Sequence, residues 1–143
     1  MITWDDHDYG FNDGGASFAY RGWSETIFET FWGSSDEVKS RPGIYESRMF
    51  GEEGKVTQII TLDTRFFRSD LATIAYQNER PPLGPYQPSS DPEKTMLGDA
   101  QWQWLEQELV APVSNQQARQ WFNDDAELWA CVVKPWVLIQ SCD

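Results

Sequence analysis

The stretch Met1-Ile-Thr-Trp4-Asp5-Asp6-His7-Asp8-Tyr9-Gly10-Phe11-Asn12-Asp13-Gly14-Gly15 decides how this chain is read. Four carboxylates, one Asn and the only histidine fall between Asp5 and Asp13. Residues 1–4 resemble the end of a β-strand. Residues 5–15 then read as a loop, because Gly10, Gly14 and Gly15 permit tight or left-handed turns. Chemical groups often sit on such loops, where a rigid sheet holds them in place. In an extended backbone Asp6 and Asp8 would point to one side and His7 to the other. In a tight loop all three can converge. A carboxylate beside an imidazole favours its protonated form and fixes its tautomer, as general acid catalysis requires. Oxygen-rich clusters also suit hard or borderline cations. A calcium loop starting at Asp6 does not fit, since the twelfth position is Ser17 where a bidentate Glu belongs. An acidic surface turn with an incidental histidine stands beside the catalytic reading.

The rest of the chain supplies a scaffold for that stretch. With 143 residues, one domain with a real core is the expectation. Eight Trp, eight Phe and five Tyr concentrate the apolar content in large side chains that bury much area each. The formal charge of −12 argues against a nucleic-acid surface, which needs Lys and Arg to neutralise phosphates. No apolar run is long enough to span a membrane, and no basic region followed by an apolar stretch marks a leader. Cys131 and Cys142 do not make a disulfide framework and indicate no compartment.

Spacing predicts a helix over residues 17–32. Trp23, Ile27, Phe28, Phe31 and Trp32 recur at intervals of three and four, Ser17 or Ser24 would cap it, and Gly33 would stop it. A stripe of this kind is expected to face the core. Arg41-Pro42-Gly43 signals a turn, and residues 44–50 and 56–62 read as a hairpin joined by Gly51-Glu-Glu-Gly54. Asp63 and Arg65 then stand at a strand end, as presented functional groups or as partners in a local ion pair or loop hydrogen bond. Residues 78–92, with four prolines between Arg80 and Pro88, read as a long loop. A helix with Asp99 near its start and Trp102, Leu105 and Leu109 on one face should follow. Residues 114–128 suggest another helix, and residues 129–139 a buried strand interrupted by Pro135.

Thr3-Trp4-Asp5-Asp6-His7-Asp8-Tyr9-Gly10, with Asn12-Asp13 behind it, resembles the signature of the alkaline phosphatase D (PhoD-like) metallophosphatases. Arg41-Pro-Gly-Ile-Tyr45, Leu62-Asp-Thr-Arg65-Phe-Phe-Arg68 and Met96-Leu-Gly-Asp-Ala-Gln-Trp-Gln-Trp-Leu-Glu106 follow in the same order, so the resemblance covers about residues 2–110. It implies an α/β (α+β) fold, part of a four-layer α/β/β/α sandwich, and hydrolysis of phosphoric esters. It also implies a centre of divalent or trivalent ions, calcium and iron foremost, with zinc or manganese as alternatives. His7 would protonate the leaving oxygen and Asp8 would orient it. Asp6, Asn12 and Asp5 would be metal ligands, and Arg65 would contact the phosphate. The family's earlier Asp, Gly-Asp and Tyr segments and its final Gly-Asp-Val-His segment have no counterpart here, which implies a partial domain over residues 1–110 and a divergent tail over 111–143. A truncated, non-catalytic homologue that binds a cation or a partner is the alternative. Relatives are often exported, but the sequence leaves the compartment open.

Overall fold

The structure is a computed structural model, and it describes residues 1–52, 56–75, 85–110, 131–133 and 137–141. Its elements run α1 (Asp6–Tyr9), α2 (Arg21–Trp32), α3 (Asp36–Lys39), β1 (Glu46–Phe50), β2 (Thr57–Thr61), α4 (Gly98–Val110), β3 (Cys131–Val133) and β4 (Val137–Ser141). The result is a mixed α and antiparallel β fold. One sheet with strand order β1-β2-β4-β3 is present among the described residues. The two sheets of a four-layer sandwich are not found there.

The expected hairpin forms in register, with Glu46 opposite Thr61 and Phe50 opposite Thr57. β2 is rich in β-branched residues, which suit a pleated, half-buried surface. It buries Gln58, Ile60 and Thr61 while β1 grows exposed toward Phe50. The predicted single strand over residues 129–139 is instead two: β3 and β4 pair antiparallel, and β4 pairs with β2. Pro135 lies between them, outside the described residues, and a proline cannot donate to a ladder. The helix expected over residues 114–128 and most of the proline-rich loop also lie outside the described residues.

Residues 1–4 do not join the sheet. They are tied to it by Ile2 N–H on Glu46 Oε1 (3.3 Å) and by the Thr3 hydroxyl on the Leu62 carbonyl (3.2 Å). Trp4 leads directly into the main core of Trp4, Tyr9, Phe28, Val38, Ile44 and Phe66. Trp4 meets Tyr9 and Phe28 edge-on at centroid separations of 5.0 and 5.1 Å, arrangements that aromatic quadrupoles favour. A second cluster of Ile60, Leu62, Leu97 and Leu105 joins the sheet to α4.

Helix α2 corrects the expectation most sharply. Gly33 ends it in the left-handed conformation, as anticipated. Its N-cap, however, is Tyr20 with no side-chain cap, and Ser17 donates to Asp70 instead. Of the aromatic stripe only Phe28 is buried. Trp23, Ile27, Phe31 and Trp32 are 67, 46, 77 and 54% exposed. The face turned inward carries Glu29, which is buried, and Glu25, which is half-buried. Burial pushes both carboxyls upward, Glu25 to about 7. Periodicity identified the helix but not which side of it the core would take. Helix α4 is also rotated from expectation: Gln101 and Leu105 are buried, whereas Trp102 is half exposed.

Candidate functional site

Half of the expected loop is a helical turn. Asp5 caps α1: its Oδ1 accepts the Asp6 N–H at 2.8 Å, and Asp8 Oδ2 accepts the Asp5 N–H at 3.1 Å. Together they form a reciprocal capping box. Asp8 is thereby engaged with the backbone rather than with the imidazole. Asp6 is the carboxylate beside the His7 ring, with Oδ2 4.0 Å from Nε2. Its two oxygens also accept the His7 N–H (2.9 Å) and the Asp13 N–H (3.3 Å). The Asp13 N–H, chiefly, holds the Asp6 carboxyl below the usual carboxylate range. His7 itself projects outward, with 75% of its side chain exposed.

Asn12 donates from Nδ2 to Asp13 Oδ2 at 2.6 Å. Asp13 stands at φ 56°, a left-handed conformation that short polar residues tolerate. Its carboxylate also accepts the Tyr86 hydroxyl. Arg68 completes the turn: Nη2 donates to the carbonyls of Asp13 and Gly14. Gly15 is required here, because a Cβ would lie 2.6 Å from the Arg68 carbonyl oxygen. At Gly10 a Cβ would lie 2.5 Å from the Phe18 ring, which would have to shift. Asp13, Arg68 and Tyr86 form a frame that was not expected from the sequence, where Asp13 followed by two glycines is its one signal.

Arg65 reaches the loop from the end of β2. Its Nη2 pairs with Asp5 Oδ1 at 2.7 Å, and Nη1 is buried with no partner among the described residues. Asp63 sets that segment. Fully buried, it accepts the Trp4 indole N–H (3.0 Å), the backbone N–H groups of Arg65 (2.8 Å) and Phe66 (2.9 Å), and the Ile44 N–H (3.1 Å). Burial pushes its carboxyl upward, and these four donors work against that push. Gln101 of α4 closes the arrangement by accepting the Asp63 N–H at 2.8 Å and donating to the Asp63 carbonyl at 2.7 Å. Of the two readings open for Asp63, the loop hydrogen bond is the one the structure realises.

His7 and Asp8 line a groove of about 920 Å³ together with Tyr20 and the α2 residues Trp23, Ile27 and Phe31. The aromatics expected in the core therefore line the candidate site.

The proposed metal ligands do not assemble. Asp5 is paired with Arg65, both oxygens of Asp6 accept backbone N–H groups, and Asn12 turns a donor toward Asp13. Among the described residues no three His, Cys, Asp or Glu side chains converge as a metal shell would require. Asp6 and Asn12 offer part of a shell at most.

A family model described as "Protein of unknown function (DUF2288)" matches residues 98–141. No model of the alkaline phosphatase D family matches, which overturns the resemblance drawn from the four motifs. Local structure gives those residues other reasons to be where they are. Asp5 and Asp8 have capping-box spacing, Trp4 and Asp63 share a buried hydrogen bond, and Gln101 answers the backbone of Asp63. No curated protein and no solved structure matches the chain. No helix among the described residues is long and apolar enough to cross a membrane.

Proposed function

We propose that the chain takes part in hydrolysis of phosphoric esters, with His7 as the proton donor to the leaving oxygen. The observation that carries this reading is an exposed imidazole lining a groove, beside a carboxylate that two backbone N–H groups keep ionised. Water attacks phosphorus, the P–O bond to the alcohol breaks, and the imidazolium proton passes to the departing oxygen. Asp6 lies beside the ring, and Asp8 braces the turn that presents it. Arg65 and Asp5 hold the β2 end against this loop, and a guanidinium matches phosphate geometry. A hard cation belongs to the proposal through the oxygen-rich loop, and it would neutralise charge on phosphoryl oxygens. No step is assigned to it, because no converging ligand set is found among the described residues.

The test is hydrolysis of p-nitrophenyl phosphate esters by the purified chain, with calcium, iron, zinc or manganese added in turn. Turnover that falls by about 10²-fold or more in His7→Ala supports the proposal. Turnover that His7→Ala leaves unchanged defeats it. The exposed aromatic face favours a second reading, a non-catalytic cation- or partner-binding protein, which predicts no turnover with any ion.

A further inference from the structure

We infer that the groove along α2 is a subsite for a flat aromatic group, so that the esters this site takes are aryl phosphoric esters. The inference rests on the hydrolase reading above and names its substrate class. Three observations carry it. First, α2 turns Glu29 inward and leaves Trp23, Ile27 and Phe31 exposed, which places an apolar face where water would otherwise lie. Large exposed apolar patches on small domains mark binding surfaces. Second, that face lines a groove of about 920 Å³, within the range of small-molecule sites, and His7 and Asp8 line the same groove. A ligand with its phosphoryl group at His7 therefore shares the groove with Tyr20, Trp23 and Phe31. Third, the charges choose among ligands. Asp8 lines the groove, Asp6 Oδ2 lies 4.0 Å from His7 Nε2, and the whole chain has a net charge of −12. Polyanions such as nucleoside polyphosphates are repelled, whereas a singly or doubly charged ester with an uncharged ring is tolerated. Ring faces prefer rings to alkyl chains because offset and edge-to-face contacts add to simple burial.

Binding of non-hydrolysable probes tests the subsite without relying on turnover. The probes are 1-naphthylphosphonate, n-octylphosphonate and methylphosphonate, titrated against the full chain by calorimetry. The naphthyl probe should bind at least tenfold tighter than the methyl probe and tighter than the octyl probe. Trp23→Ser and Phe31→Ser should each remove most of that preference. Trp102→Ser, a half-exposed tryptophan outside the groove, should leave it intact. Equal affinity for the three probes, no binding of the naphthyl probe, or equal loss in Trp102→Ser would overturn the inference. So would an octyl probe that binds as tightly as the naphthyl one. A chain that shows the aryl preference but hydrolyses no ester keeps the subsite and loses the proposed activity. A chain that hydrolyses esters without aryl preference keeps the activity and loses the subsite.

Discussion

Replacing Gln101 by Met should destabilise the protein by about 2–3 kcal/mol. Gln101 is fully buried on α4, and its amide answers both polar groups of the Asp63 backbone, at 2.8 and 2.7 Å. Methionine has a similar length and fills the same space, so cavity effects are small. What remains is one N–H and one C=O at a position with no water access. Each buried group left unpaired costs about 1–3 kcal/mol, and the extra apolar burial returns about 1 kcal/mol. With a urea m-value of about 2 kcal/mol/M, the midpoint should fall by about 1–1.5 M. Urea unfolding followed by tryptophan fluorescence measures it, with the exposed neighbour Gln103→Met as a control that should stay within about 0.5 kcal/mol. Equal midpoints for the two variants would show that α4 does not hold the Asp63 segment.

Phe28→Ala and Phe31→Ala separate the two faces of α2. The first should cost about 3–4 kcal/mol, because Phe28 is 8% exposed in the aromatic core, and the second about 0.5 kcal/mol or less. Similar losses in urea unfolding would mean that the aromatic stripe faces inward after all. Glu25→Gln tests the buried carboxyl face through pH. Burial raises the Glu25 carboxyl from 4.5 to about 7, so its neutral form suits the fold and its ionisation opposes it. The wild type therefore loses stability from this group as pH rises from about 4.5 through 7, and Gln removes that loss. Glu25 is only half-buried, so solvent screening reduces the effect to about 1 kcal/mol. The Gln variant should be the more stable at pH 8 and equal to the wild type near pH 4. A constant gap across that range contradicts the assignment. Gly15→Ala should cost about 2 kcal/mol in the same assay, through overlap with the Arg68 carbonyl oxygen. An unchanged midpoint would mean that the loop moves aside freely.

Local signals in the sequence were read well, and facing directions poorly. Alternation and a glycine-bounded turn located the β1–β2 hairpin, though not its register, and Gly33 marked the end of α2. The burial of Glu25 and Glu29 in place of Trp23 and Phe31 could not be read, since a stripe shows that a helix has two faces but not what packs on each. The Asp5–Asp8 spacing carried two meanings at once, a chemical cluster and a capping box, and composition alone cannot separate them. Asp63 and Gln101 lie 38 positions apart, and their pairing exists only once α4 docks on the β2 end. The same holds for Arg65 and Asp5, 60 positions apart. Pro135 was the one mark in the sequence against a continuous strand over residues 129–139, since a proline cannot donate to a ladder.

The claim that His7 protonates the departing oxygen is tested most directly by varying that oxygen. The rates of phenyl and p-nitrophenyl phosphoric esters are compared in wild type and in His7→Ala. A general acid matters most when the leaving oxygen is basic, so His7→Ala should slow the phenyl ester by at least about tenfold more than the p-nitrophenyl ester. An equal loss for the two esters, or no loss for either, would contradict it.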